Sequence, residues 1–428
     1  LNELKKQKKY FKNKRQSANY LELLSEAYYL RAFKIALYYG DYSEATSWSK
    51  KALSSVNLKR KWKKDILWTL GLSYFLRKKY ILAQKTWKKS LRYHKKRKEK
   101  AKVLYWLTRV SHLRKDKRNY NKYNKTLKRS YPFNFYSLLN KNRFLPRSTK
   151  KSKKILKRTY PRKKTLRSSL IRGEILIKME MYKLAQAELK HTYTLIRPRR
   201  YSQSNLPLYT YLNKLLYKAK LYHKSIGFSE QLAKRYKNFW QKNPEQISLY
   251  YPIAFSQSYK KASSKSNVNL SILYGISRQE SLFRKNAVSY ANAIGLMQIT
   301  PTTAVSLARN LRLKLDVPEE DLKDISKNLS LGSYYLHKLK KRYRKQKTPQ
   351  YAMIAAYNAG EFAVDQWLSK VKTKDELLWI EIIPFRQTRD YVKFVLSNMK
   401  IYETILNHSI REKNNYMLYT LAKIKKKF

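Results

Sequence analysis

Apolar residues recur at helical spacing along most of this chain, and the recurrence is clearest where a tyrosine is followed three residues later by a small side chain. Gly40-Asp41-Tyr42-Ser43-Glu44-Ala45 opens an amphipathic stretch that continues through Trp48, Ala52 and Leu53. Tyr80, Ala83 and Trp87 repeat the pattern, Met181-Tyr182 with Ala185 and Leu189 repeats it again, and Leu221-Tyr222 before Ile226 is a weaker fourth instance. A small residue at that place lets two helices approach closely, as in stacked helix-pair repeats. The spacing is irregular, so the pattern predicts a degenerate solenoid of helical hairpins over residues 1–248. Two basic tracts interrupt it, Lys95-Lys96-Arg97-Lys98-Glu99-Lys100 and Lys150-Lys151-Ser152-Lys153-Lys154. Both are expected to be loops or solvated helix ends.

The pattern changes near Ser248. A polar Lys/Ser/Asn tract between Lys260 and Asn267 reads as a loop ahead of a new helix, and a second domain is expected over 249–428. From Asn267 onward Leu270, Leu273, Ile276 and Phe283 mark an apolar stripe at helical spacing. Glu280 falls on that stripe, four residues after Ile276 and three before Phe283. A carboxyl aimed at a buried face is costly unless it is neutral or paired. Burial favours the protonated form, and a glutamate tuned to roughly 6–7 is what a general acid needs near neutral pH. Glu280 is also the only acidic residue between Glu245 and Asp316. The bland alternative is an ion pair with Arg278 or Arg284.

Two downstream segments carry turn signals. Ala293-Ile294-Gly295-Leu296-Met297-Gln298-Ile299-Thr300-Pro301 sets a glycine turn before an apolar-polar-apolar run, with Gln298 offering both donor and acceptor. Thr302 or Thr303 is expected to cap the helix that Ala304 begins. Ala355-Ala356-Tyr357-Asn358-Ala359-Gly360 reads as a helix end with a glycine cap, exposing a phenol and a carboxamide.

Composition narrows the class. Only 8 Gly and 11 Pro punctuate 428 residues, so a mostly helical, all-α chain is expected. With no Cys, disulfides and thiolate chemistry are excluded, and the six His show no close pairing, so neither a metal nor another cofactor is expected. Lys and Arg number 97 against 27 Asp and Glu, a formal charge of +70, which calls for an anionic partner. No apolar run approaches the roughly 20 residues needed to span a bilayer. The numbering begins at Leu1, and an export signal removed before it is expected.

Taken together, the motifs resemble those of the Slt-type lytic transglycosylases, whose catalytic domain looks like goose-type lysozyme. The matching blocks are Ser277-Arg278-Gln279-Glu280-Ser281; Gly295-Leu296-Met297-Gln298-Ile299 with Pro301 and Thr303; Asn328-Leu329 with Gly332 and Tyr335-Leu336; Ala356-Tyr357-Asn358-Ala359-Gly360; and Glu381-Ile382-Ile383-Pro384-Phe385-Arg386-Gln387-Thr388-Arg389-Asp390-Tyr391-Val392. Tyr105-Trp106 with Arg109, and Tyr131-Pro132 before Phe135-Tyr136, look more loosely like the family's helical superstructure.

The resemblance implies a helical superhelix followed by a lysozyme-like, mostly helical catalytic domain. It implies cleavage of the β-1,4 bond between N-acetylmuramic acid and N-acetylglucosamine in peptidoglycan, in the periplasm or outside the cell. Glu280 would be acid and then base, with the muramyl C6 hydroxyl closing a 1,6-anhydro ring. An intramolecular nucleophile would replace the second carboxylate of ordinary glycosidases. Ser289, Met297, Gln298, Thr300, Tyr357, Asn358, Gln387 and Tyr391 would contact the substrate. Three positions depart from the family pattern: Thr300 where Met is common, Gln387 where Glu is usual, and Asn292 where Gly is frequent. Anionic wall polymers or an acidic membrane face are the expected partners of the basic charge, and nucleic acid is not. The rival readings are a lysozyme-like hydrolase that uses water, and a basic helical scaffold with a decayed enzyme domain.

Overall fold

A computed structural model of the chain describes residues 14–54, 58, 60–94, 97–131, 133–139, 161, 164–196, 203–236, 238–346, 349–371, 373 and 375–425. Helices account for nearly all regular structure. They are α1 (Lys14–Leu30, continued by a π-helical segment Arg31–Leu37), α2 (Tyr42–Leu53), α3 (Arg60–Leu76), α4 (Tyr80–Leu91), α5 (Arg97–Leu113), α6 (Lys117–Ser130) and α7 (Phe135–Leu138). There follow α8 (Lys164–Lys178), α9 (Tyr182–Ile196), α10 (Leu206–Lys218), α11 (Tyr222–Arg235), α12 (Phe239–Lys242), α13 (Gln246–Tyr250), α14 (Ser256–Ser266) and α15 (Leu270–Glu280). The last are α16 (Pro301–Leu311), α17 (Pro318–Asp321), α18 (Ile325–Arg342), α19 (Pro349–Ala359), α20 (Glu361–Lys370), α21 (Glu376–Ile382) and α22 (Arg386–Lys425). Among the described residues the only extended pairing is two isolated bridges, Val288 with Ile294 and Ile294 with Ile299. The all-α class expected from composition is the class observed.

The chain divides into two compact units, Leu1–Asn142 with Leu339–Ser397, and Arg143–Lys338 with Asn398–Phe428. Residues on both sides of 248 lie in the second unit, so neither unit begins there.

The hairpins share one turn. A residue just past each first helix is left-handed, Gly40 (φ 86°) in the first hairpin and the second residue beyond the helix end in the others: Lys78 (57°), Lys115 (55°), Glu180 (58°) and Lys220 (62°). In four of them the next N–H reaches back to a helix-end carbonyl: Lys79 to Tyr74 at 2.8 Å, and Asp116 to Ser111, Met181 to Leu176 and Leu221 to Leu216 at 2.9 Å. These bonds satisfy carbonyls that a helix terminus otherwise leaves open. The tyrosine noticed in sequence starts the second helix of four of these hairpins, and Ala45, Ala83 and Ala185 are buried where the two helices meet. In two hairpins a glycine of the first helix lies against a large side chain of the second. A Cβ on Gly71 would lie 2.3 Å from Trp87 Nε1, and one on Gly173 would lie 2.7 Å from Leu189 Cδ2. Around Gly71 the first unit packs Trp68, Trp87, Trp106 and Phe75 ring to ring, at centroid separations from 5.2 to 6.3 Å.

Within the first unit, polar contacts join the N-terminal hairpins to α21 and α22. Arg109 pairs with Asp375, whose carboxylate caps α21 by accepting from Leu377 and Leu378 N–H. Glu381 is buried, accepts from the Tyr136 hydroxyl and pairs with Lys393 Nζ at 2.9 Å. Burial alone would raise the Glu381 pKa, but the charges of Lys393 and Lys102 hold it below the usual carboxylate range. Burial pushes Lys102 down to about 8.

Two expectations need correction. The polar tract 260–267 is not a loop: α14 covers it, with Tyr259, Ala262 and Ser266 buried at helical spacing and Lys260, Lys261 and Lys265 on the wet face. Phe283 is buried but does not share a helix with Glu280, because the chain leaves α15 through left-handed Leu282 (φ 52°) and Phe283 (φ 64°). The basic tract from Arg97 is the first turn of α5, a helix end as one of the two expectations had it, while Lys95 and Lys96 lie outside the described residues, as do Lys150–Lys154, Pro132 and the start of the chain.

Two outcomes are expected. A non-glycine residue in the left-handed region costs roughly 1–2 kcal/mol, partly offset by the entropy glycine loses. Lys78→Gly or Lys115→Gly should therefore stabilise the chain by up to about 1 kcal/mol in urea unfolding; destabilisation by either would show that the turn is held by its side chain. Glu381→Gln strands Lys393 and Lys102 without a counter-charge and should cost about 3–5 kcal/mol. A loss below about 1 kcal/mol would mean the pair is no stronger than a surface one.

Candidate active site

In the second unit α15 starts at Asn269, whose side chain accepts from Ser271 N–H at 2.9 Å. Every residue from Ser271 to Arg278 is buried. The Tyr274 ring stacks between Tyr259 (4.3 Å) and Tyr402 (5.0 Å), and its hydroxyl donates to Ala254 O at 2.9 Å. Asn398 Nδ2 donates to Gly275 O at 3.3 Å. Arg278, one turn from the end, has its guanidinium over the rings of Tyr250 (4.4 Å) and Tyr251 (4.0 Å) and donates to Tyr250 O. Arg284 donates from Nε to Ser281 O at 3.2 Å. These contacts are with the tyrosine cage and the backbone. Glu280 is the last residue of the helix and is partly exposed.

Ser281 joins that helix end to the glycine loop. It is fully buried, and its hydroxyl lies 2.8 Å from Leu296 O and 3.1 Å from Ser277 O while accepting from Phe283 N–H. The loop itself is knotted by Asn328. Its carboxamide oxygen accepts from Met297 N–H at 2.8 Å, and its nitrogen donates to Ile294 O and Leu322 O, both at 2.9 Å. Gly295 is left-handed (φ 84°), and a Cβ there would sit 2.2 Å from Asn328 Nδ2 and 2.3 Å from Leu322 O. No other residue fits. Asn328 stood in a motif without a role, and Ser281 likewise; only the three-dimensional contacts disclose what they do.

The residues expected to bind substrate take different places. Gln298 is partly exposed and left-handed (φ 52°), and its Nε2 donates to Ala287 O and Gly295 O at 3.0 Å. Its amide nitrogen thus braces the loop, and its carbonyl is the end left to offer. Ser289 is exposed, and its hydroxyl accepts from Ala293 N–H at 3.0 Å. Asn292 is left-handed (φ 54°), as expected of a residue standing for glycine. Met297 is fully buried, and a Cβ on Gly332 would lie 2.5 Å from its sulfur. Met297 supports the loop from beneath and has no open surface. Thr300, and not Thr302 or Thr303, caps α16, which starts at Pro301; Thr300 Oγ1 accepts from Thr303 N–H at 3.3 Å.

Tyr357, Asn358, Gln387 and Tyr391 belong to the first unit. Tyr357 and Asn358 are partly exposed at the end of α19, where Gly360 (φ 81°) both stops that helix and starts α20. Asn358 Oδ1 accepts from the buried Thr388 hydroxyl at 2.9 Å, which joins α19 to the first turn of α22. Gln387 is exposed on that turn, and Tyr391 is buried. Arg389 sits over the Phe33 ring at 4.7 Å and donates to Ile383 O, holding the turn between α21 and α22. Among the described residues there is no cluster of His, Asp and Glu able to hold a metal ion.

Residues 257–380 match the family described as Transglycosylase SLT domain. A putative soluble lytic murein transglycosylase of Haemophilus influenzae is 36% identical over 164 residues, which are 38% of this chain and 27% of that protein. The soluble lytic murein transglycosylase of Escherichia coli K12 is 32% identical over 148 residues, 34% of this chain and 22% of its own length. The matches thus span about a quarter of those relatives. Lytic transglycosylase Slt from Pseudomonas aeruginosa, solved as an inactive mutant, superposes with a TM-score of 0.61 at 21% identity, covering 95% of this chain and 66% of that one. The 70 kDa soluble lytic transglycosylase of Escherichia coli gives 0.56 at 18% identity, covering 91% and 62%. These structures show the fold, a helical superstructure with a lysozyme-like part. The chain carries a transglycosylase SLT domain over residues 257–380 and is there a relative of the soluble lytic murein transglycosylases.

Proposed function

We propose that this chain is a peptidoglycan lytic transglycosylase that breaks the β-1,4 bond between N-acetylmuramic acid and N-acetylglucosamine and leaves a 1,6-anhydro end. The observation that carries this reading is Glu280, partly exposed on the last residue of a helix whose preceding residues 271–278 are buried throughout. A carboxyl at a helix C-terminus faces the negative end of the helix dipole, which favours its neutral form. In that form it can protonate the glycosidic oxygen as the C1–O bond breaks. The resulting carboxylate then takes the proton of the C6 hydroxyl while that oxygen bonds to C1. The proton returns to Glu280, and no water is consumed. Intramolecular attack at high effective concentration makes a second carboxylate unnecessary. The relatives are named for this activity, and the Pseudomonas aeruginosa protein was solved as an inactive form with one Glu→Gln substitution.

In this proposal the Gln298 carbonyl, Ser289 and Thr300 contact the sugar from the glycine loop, and Tyr357, Asn358 and Gln387 do so by their motif positions, with Met297 and Tyr391 as buried supports. Residues 1–248 would form the helical superstructure and 249–428 the catalytic part, acting in the periplasm or outside the cell. Gln387 removes a negative charge from a place where the family has one. Thr300 has its hydroxyl committed to the α16 cap, so its departure from Met serves the helix start. The charge of +70 would hold the chain on anionic wall polymer or an acidic membrane face. No helix among the described residues is long and apolar enough to cross a membrane.

Digestion of purified sacculi followed by mass spectrometry tests the reaction. The expected muropeptides lack one water relative to reducing-end products; reducing ends alone would identify a hydrolase. Glu280→Gln should lower turnover by about 10²–10⁴-fold with unchanged thermal unfolding, and wild-type turnover in that variant would leave only a binding scaffold. Wall adhesion should weaken as salt shortens the Debye length from about 10 Å at 0.1 M to about 3 Å at 1 M. Adhesion unchanged over that range would remove charge as its cause.

A further inference from the structure

Two neighbouring hairpin turns in the first unit, α3–α4 and α5–α6, enclose a recess of about 450 Å³ lined by Lys78, Lys79, Tyr80, Ile81, Leu82, Leu113 and Arg114. Ligand sites commonly occupy about 300–1,000 Å³, and this one is open to solvent on one side. Three of its walls are aliphatic side chains in water: Ile81 is 54% exposed, Leu82 41% and Leu113 46%. They gather at one place, where single exposed apolar residues elsewhere would call for no explanation. Around them the exposed residues Lys78, Lys79, Lys85, Arg114, Lys115, Lys117 and Arg118 are all cationic. In the segments 77–91 and 112–123 Asp116 is the one acidic residue. Its carboxylate is spent as the α6 cap, accepting from Asn119 N–H at 3.1 Å and Asn119 Nδ2 at 2.7 Å. Arg114 is steadied by a hydrogen bond from its guanidinium to Gln84 Oε1. The left-handed turns at Lys78 and Lys115 fix the backbone that presents these groups.

We propose that this face docks on the anionic surface of a lipid bilayer, with Ile81, Leu82 and Leu113 entering the headgroup region and Lys78, Lys79 and Arg114 meeting lipid phosphates. Aliphatic side chains at a turn, ringed by cations, match the two requirements of interfacial binding: apolar area to bury and charge to pair with acidic lipid. A purely anionic polymer uses the cations and leaves the three aliphatics in water. The composition therefore favours a lipid leaflet over wall polymer. The inference builds on the anionic-surface reading above and narrows it to one place and one partner. It is independent of the glycan chemistry.

The test is co-sedimentation of the full chain with vesicles of phosphatidylcholine alone or mixed with phosphatidylglycerol, at fixed salt. Wild type is expected to sediment with the mixed vesicles and not with the neutral ones. Ile81→Ser/Leu82→Ser/Leu113→Ser keeps every charge, and should lower the partition coefficient about tenfold or more. Lys78→Ser/Lys79→Ser/Arg114→Ser, which removes three of 97 cations, should do the same. Both variants should cleave soluble glycan fragments at the wild-type rate, and the aliphatic variant, whose altered side chains are exposed, should melt at the wild-type temperature. If the aliphatic variant sediments like wild type while salt still releases both, the attraction is diffuse charge and the proposed face falls, leaving the broader reading intact. If wild type ignores mixed vesicles yet binds a soluble acidic amphipathic peptide through these residues, the partner is a protein and the lipid assignment is overturned.

Discussion

From Ser271 to Arg278 the catalytic-block helix has no face in solvent. Tyrosine rings pack on Tyr274, and the Arg278 guanidinium is caged by two more rings and a carbonyl. A helix buried on every side cannot roll or slide, so the direction of its final side chain is set by the core and not by local preference. Glu280 inherits that rigidity. Ser281, the next residue, carries it into the glycine loop through Leu296 O, and Asn328 carries it onward by tying three backbone groups. The groups proposed to act on the glycan therefore stand on supports that are buried and tied to one another by hydrogen bonds. Pre-organisation of this kind is where much of an enzyme's rate enhancement resides.

The first unit solves a different problem with similar means. Its hairpins are stacked by close approach at Gly71 and Ala83, and the same offsets recur at Gly173 and Ala185 in the second unit. In so basic a chain the few carboxylates are placed where they do structural duty. Asp375 caps a helix and pairs with Arg109, Glu381 neutralises Lys393 and Lys102 in the interior, and Asp116 caps α6. Most of the surplus cations remain on exposed helix faces. Buried charge needs partners and exposed charge does not, so an excess of lysine can accumulate on the surface without cost to the core.

Much of the fold was legible in the sequence. The Tyr–Ala spacing marked three hairpins, and Leu221-Tyr222 a weaker fourth, because a buried small residue three after a helix start is a packing requirement. Glycine scarcity marked the class. What escaped notice escaped for physical reasons. Lys78, Lys115, Glu180 and Lys220 occupy positions where glycine is the usual signal, so the turns carried no signature of their own. The tract at 260–267 was read from its wet face alone, although Tyr259, Ala262 and Ser266 held the helical period. In the candidate site, the need for glycine at 295 was readable from residue type. The roles of Asn328 and Ser281 were not, since both depend on partners 15 to 34 residues away. The cap of α16 was expected at Thr302 or Thr303 and is Thr300, because the helix begins at Pro301 and the residue before that proline is its N-cap.

The account depends on Glu280 holding its proton near neutral pH. Carbon-detected NMR titration of the chain labelled at glutamate side chains, with Glu280→Gln used to assign the resonance, measures that property directly. The account predicts a titration midpoint clearly above the ordinary glutamate value of about 4.3. A midpoint at or below about 4.3 would show a permanently ionised carboxylate at the end of α15, and the proposed protonation of the glycosidic oxygen would have no donor.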